Sequence, residues 1–92
     1  MDLQLKDKTA LVTGASVGIG RGIALALAAE GVRLALTARR MDKLLELAEA
    51  LTALGAPAPV LIEQDMYAED AAKRIADAAM AGLGQVDILV NN

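Results

Sequence analysis

Four short apolar runs alternating with three stretches of helical pattern constrain this chain more than anything else in it. The runs are Thr9–Thr13, Leu34–Ala38, Val60–Ile62 and Val86–Val90. Each is near-continuous rather than alternating, the pattern of a strand covered on both faces. Such strands need helices on either side, so the reading is β-α-β-α-β-α-β with a parallel sheet and right-handed crossovers.

The first helix is expected over Gly18–Glu30, stopping at Gly31 as a left-handed C-terminal residue. Ile19, Ile23 and Leu27 share one face, and Gly22 and Ala26 permit close approach to the sheet. The second is expected over Asp42–Leu54, with Asp42 as N-cap, Gly55 as stop and Leu44, Leu47, Leu51 and Leu54 as its apolar stripe. Pro57 and Pro59 forbid continuation. The third is expected over Glu69–Ala81, with Ala72, Ile75, Ala79 and Leu83 inward and Glu69–Lys73 and Asp70–Arg74 paired on a solvated face. The fold class is α/β, a doubly wound parallel sheet in the order 3-2-1-4, which is the first part of a Rossmann sheet.

Ninety-two residues allow one domain, and 55% hydrophobic content makes it a folding one. Without Phe or Trp and with a single Tyr, its core is aliphatic. Nine basic against twelve acidic residues give a net charge of −3, which argues against nucleic acid or an anionic membrane as partner. The absence of Cys and His removes disulfides, thiolate metal sites and the commonest general base. No apolar stretch is long enough to cross a membrane, and Met1–Lys8 has no signal-like apolar core. A cytoplasmic location is expected. The final run would leave strand four as an apolar unpaired edge. The chain is therefore expected to be the N-terminal part, 1–92, of a single larger domain.

Chemistry concentrates at Thr13-Gly14-Ala15-Ser16-Val17-Gly18-Ile19-Gly20, between the first strand and the first helix. The first N–H groups of a helix lack partners within it, and the helix dipole adds about half a positive charge there. A glycine turn leading into such a helix makes an anion site. Gly14 turns the chain off the strand, and Gly18 and Gly20 present no side chain to hold a pyrophosphate away. Amides near Val17, Gly18 and Ile19 can donate to it. The spacing Gly-x-x-x-Gly-x-Gly is not a P-loop, because Ile19 stands where the second glycine would be and no Lys-Ser/Thr follows.

Other candidates lie at the carboxyl ends of the later strands. Arg39 and Arg40 follow strand two, where a dinucleotide fold places the adenosine ribose; an acid there suits NAD and an arginine suits the 2′-phosphate of NADP. The competing reading is that these arginines neutralise nearby helix acids, the stronger reading for Arg40. Asp65 and Met66 end strand three, where a carboxylate accepts from an adenine amino group and the Met66 N–H donates to the ring. Asp65 also suits a turn or a helix cap. Asn91 and Asn92 end strand four, where their amides can bridge backbone and ligand. Tyr67 has no lysine four residues on and reads as a packing or edge residue.

Taken together, these residues resemble the short-chain dehydrogenase/reductase family over essentially the whole chain. The resemblance is carried by Thr13-Gly14-x-x-x-Gly18-x-Gly20, Arg39, Asp65-Met66 and Val86-Asp87-Ile88-Leu89-Val90-Asn91-Asn92, the last matching the start of the family's Asn-Asn-Ala-Gly motif. It implies NADP(H)-dependent reduction of a carbonyl or oxidation of an alcohol on a small molecule. Gly14 through Gly20 would hold the pyrophosphate, Ser16 and Arg39 the 2′-phosphate, Asp65 and Met66 would flank adenine, and Asn91 would lie near its ribose. Val17 is not the basic residue that one NADP-preferring subgroup carries before Gly18, whereas Arg39 fits another subgroup. Within the family the likeness is to 3-oxoacyl-acyl-carrier-protein reductases, and a homo-oligomer, dimer or tetramer, is implied for the whole protein. The family's catalytic Asn, Ser, Tyr and Lys follow its Asn-Asn-Ala-Gly motif, so no catalytic residue is assigned in these 92 residues. Two alternatives stay open: a non-enzymatic NADP(H)-binding module, and another Rossmann enzyme such as a methyltransferase.

Overall fold

The apolar runs form strands because both of their faces find helices. In the computed structural model, which describes residues 5–65 and 67–92, β1 (Thr9–Thr13), β2 (Arg33–Ala38), β3 (Val60–Glu63) and β4 (Ile88–Val90) alternate with α1 (Gly18–Ala29), α2 (Met41–Ala53) and α3 (Ala71–Leu83). All pairings are parallel, in the order β3-β2-β1-β4, as expected. Ala10 pairs with both Leu34 and Ile88, so β1 lies at the centre, and all five of its residues are buried.

Alternate residues of the central strands feed two separate cores. Val12, Leu34 and Leu36 pack with Leu44, Leu47 and Leu51 of α2 on one face. Leu11, Ala35 and Ile62 pack with Ile75, Ala79 and Leu83 of α3 on the other. At 25 cal/mol per Å² of apolar area, full burial of each such leucine contributes about 2 kcal/mol. Gly82 brings α3 down onto β3, since a Cβ there would run into the Val60 side chain.

The helices differ in detail from their sequence patterns, each for a local reason. Helix α1 buries Gly20 and Ala24, whereas Ile19 is 76% exposed and Gly22 faces open space. The close seat of Gly20 on the Gly14 carbonyl rotates the small-residue ridge onto the sheet and turns Ile19 outward. The chain leaves the helix through Gly31 at φ +82°, as expected.

Helix α2 starts one residue early, with Arg40 rather than Asp42 as N-cap. Its cap comes from the sheet: the Met41 N–H donates to Glu63 Oε2 at 2.8 Å. Asp42 instead sits in the first turn, bound by Arg40. Leu54 falls at the C-cap and is 68% exposed, so the stripe ends at Leu51.

Helix α3 starts two residues late because a turn uses Asp65 first. The Tyr67 N–H donates to Asp65 Oδ1 at 2.9 Å and the Ala68 N–H to the Asp65 carbonyl at 3.0 Å. Ala71 rather than Ala72 therefore faces the sheet. Arg74 pairs with Asp70 at 3.2 Å as expected, but Lys73 pairs with Asp77 at 2.8 Å rather than with Glu69.

Strand β4 begins at Ile88 rather than Val86, and Asp87 before it joins β1 through both backbone and side chain, its N–H meeting the Thr9 carbonyl at 3.0 Å. The Thr9 N–H and hydroxyl donate to Asp87 Oδ2 at 2.9 and 3.1 Å, and the Asp87 N–H donates back to Thr9 Oγ1 at 3.0 Å. These bonds, the Thr9 N–H first, hold the Asp87 carboxyl below its ordinary range against a smaller opposing effect of burial; Gln85 and Lys8 add to the lowering.

Candidate cofactor site

The sequence Thr-Gly-Ala-Ser-Val-Gly-Ile-Gly folds as a turn because its ends are held by two strands. The Ala15 N–H donates to the Thr37 carbonyl of β2 at 3.1 Å, and the Ala15 side chain is fully buried. Gly14 and Gly18 both take φ +59°, a left-handed conformation that a side chain would strain. Val17 is the N-cap of α1 and supplies no side-chain cap, which leaves the first-turn N–H groups open to a ligand.

The glycines divide the work differently from the sequence expectation. At Gly18 an added Cβ would meet nothing within 4 Å, so this side of the turn is open. At Gly20 it would run into the Gly14 carbonyl and lie 2.7 Å from Asn92 Nδ2. Gly20 is thus buried and makes room for the protein's own backbone, while Gly18 leaves room for a ligand.

The asparagines after β4 also part company. The Asn92 amide side chain donates to the Gly14 carbonyl at 3.2 Å, and its backbone N–H donates to Thr13 Oγ1 at 3.0 Å. Thr13 Oγ1 in turn donates to the Val90 carbonyl at 3.3 Å, with Asn91 Oδ1 at 3.4 Å. Asn92 therefore braces the glycine turn. Asn91 lines a separate groove between β4 and α3.

An open cleft of about 510 Å³ runs from the turn to the end of β2. Its walls include Ser16, Val17, Arg39, Arg40, Lys43 and Tyr67, with no carboxylate among the described residues that line it. The three cations are not equivalent. Arg40 is committed to Asp42 through a two-point ion pair of 3.1 and 2.6 Å, which holds the Asp42 carboxyl below its ordinary range. Lys43 lies 3.5 Å from Glu46. Arg39 has no carboxylate partner among the described residues. Arg40 thus takes the pairing with a helix acid that the sequence made the stronger reading for it.

Of the other sequence candidates, Ile19 stands at the exposed start of α1, and Asp65 follows β3 outside the cleft lining. Met66 lies outside the described residues. Lys43 and Tyr67 were not among the sequence candidates. Lys43 carried a signal, a cation within four residues of Arg39 on the first turn of a helix. Tyr67 carried none until the turn at Asp65 aimed it: it is 91% exposed rather than packed.

A parallel 3-2-1-4 sheet with a glycine turn at its carboxyl edge, facing a cleft lined by Ser16, Arg39, Arg40 and Lys43, defines a dinucleotide-binding α/β protein of the Rossmann type. A family model described as short chain dehydrogenase matches residues 8–92, and the chain belongs to that family. It is 44% identical over 88 residues to 11-beta-hydroxysteroid dehydrogenase 1A of Arabidopsis thaliana, covering 96% of this chain and 25% of that protein. Among solved structures, it superposes on a 7α-hydroxysteroid dehydrogenase complexed with NADH and 7-oxo glycochenodeoxycholic acid with a TM-score of 0.92 at 34% identity. That match covers 99% of this chain and 35% of the other. Glucose dehydrogenase of Caenorhabditis elegans gives 0.90 at 31% identity, over 97% and 38%. The chain spans about a quarter to two fifths of the length of these relatives.

Proposed function

We propose that this chain is the NADP(H)-holding part of a short-chain oxidoreductase that reduces a carbonyl or oxidises an alcohol on a small molecule. The observation that carries the reading is Arg39, a cation without a carboxylate partner among the described residues, in one cleft with Gly14, Ser16 and Val17 of the glycine turn. The first-turn N–H groups from Gly18 onward receive the pyrophosphate oxygens, and Ser16 and Arg39 receive the 2′-phosphate. Asn92 holds the Gly14 carbonyl and so braces the turn. NADP(H) supplies the hydride donor or acceptor. The relatives named above act on substrates as different as a steroid and glucose, so the part shared with them is the cofactor site, and substrate choice belongs to other residues of the whole protein.

The test is a titration of NADPH and NADH against the native chain and Arg39→Ala. A charge-assisted hydrogen bond contributes roughly 1.5–3 kcal/mol, so NADPH affinity should fall by about one to two orders of magnitude while NADH affinity holds. Unchanged NADPH affinity in Arg39→Ala would remove the 2′-phosphate assignment.

A further inference from the structure

Two of the three cations on the cleft wall are engaged by carboxylates of α2 itself. Arg40 meets Asp42 at 3.1 and 2.6 Å, and Lys43 lies 3.5 Å from Glu46. Asp42 and Glu46 stand outside the cleft lining, whereas the cations they hold are part of it. Arg40 directly follows Arg39 in the chain, so two guanidiniums reach one cleft and a helix acid occupies the second.

The Arg40–Asp42 pair is not what starts α2. The first N–H of the helix, on Met41, meets Glu63 Oε2 at 2.8 Å, so the helix start is capped from the sheet. The pair is also exposed, with the two side chains 66% and 59% open to solvent. Such a pair is weak, and opening it lowers the affinity of an incoming anion by about two- to fivefold. A guanidinium already free gives a phosphate a two-point, charge-assisted contact without that loss.

We propose that Asp42 sets how strongly the cleft distinguishes a phosphorylated from an unphosphorylated adenosine ribose, as a positioning residue that holds Arg40 and leaves the 2′-phosphate to Arg39. This rests on the cofactor reading above. The chain then favours NADP(H) through one guanidinium where its sequence supplies two. Neutralising Asp42 frees Arg40 and also removes a negative charge near the phosphate, and a background without Arg40 separates the two effects.

The test measures binding of 2′,5′-ADP and 5′-AMP by calorimetry to the native chain, Asp42→Asn, Arg40→Ala and the double variant. Circular dichroism checks that α2 keeps its helix, as the Glu63 cap leads one to expect. Asp42→Asn should bind 2′,5′-ADP about two- to fivefold more tightly and 5′-AMP as the native chain does. Arg40→Ala and the double variant should bind 2′,5′-ADP within about twofold of each other, because only a screened surface charge then separates them. Native affinity for 2′,5′-ADP in Asp42→Asn, or the same rise with Arg40 absent, overturns the proposal. A native chain that binds the two nucleotides equally overturns the NADP reading instead. Asp42→Asn then still decides the role of Asp42: a preference for 2′,5′-ADP gained there upholds it, and none gained removes it. Binding of neither nucleotide overturns both.

Discussion

Glycines 20 and 22 lie two residues apart on one helix and have opposite reasons to be there. Gly20 faces the Gly14 carbonyl with no room for a methyl group, whereas Gly22 faces open space in the interior of α1. Alanine at Gly22 should raise stability by about 0.5–1 kcal/mol, since glycine is the poorer helix former. Alanine at Gly20 should cost about 1–3 kcal/mol, the range for overpacking, because backbone rather than a flexible side chain must move. For a domain of this size about 1 kcal/mol moves the midpoint by roughly 4–8 °C, so thermal melts followed by circular dichroism separate the two variants. Equal midpoints would mean that the turn gives way at Gly14. The sequence motif marks both Gly18 and Gly20 but does not tell them apart, because which glycine meets ligand and which meets backbone depends on how α1 is rolled against the sheet.

At the scale of elements, the chain is stitched by carboxylates at strand ends. Glu63 at the end of β3 caps α2, and Asp87 before β4 clasps Thr9 of β1. The Asp87 carboxyl is held below its ordinary range in the folded state, so the unfolded chain binds its proton more readily. The stability it contributes is full above the ordinary carboxylate range, roughly pH 4, and is lost as pH falls through the lowered folded value. Asp87→Asn should therefore flatten the acid limb of the stability profile below about pH 5 while changing its shape little near neutrality. Urea melts across that range check it, and an acid limb as steep as the native one would place the titrating group elsewhere. Strand and helix existence was legible from the apolar runs, and even the sheet order followed from the alternation. The helix starts were not, because Arg40 and Asp70 became N-caps through contacts with Glu63 and the Asp65 turn, which lie outside the helices they limit.

Over the whole molecule, the two faces of β4 are unequally covered. Ile88 and Val90 pack against the α1–α2 core, but Leu89 is 64% exposed beside a groove of about 300 Å³ lined by Leu11, Ala72 and Ile75. An apolar edge strand with a bare face is a template for pairing with another chain. The 92-residue chain should therefore associate as its concentration rises, and Leu89→Lys should suppress this without unfolding it. Sedimentation velocity over a concentration series distinguishes the cases, and a native chain that stays monomeric throughout would show that the edge is not adhesive.

Local pattern alone carried the order of elements, the parallel sheet and the anion turn, because each depends on residues close together in sequence: unbroken apolar runs, helical periodicity, and glycines between a strand and a helix. Folding in three dimensions settled what depends on residues far apart. It set Asn92 against Gly14 and Gly20, sent Arg40 to Asp42 while leaving Arg39 without a carboxylate partner among the described residues, and placed Tyr67 on the cleft wall. Those outcomes follow from helix roll, strand register and competition for partners across space, none of which leaves a periodic trace along the chain.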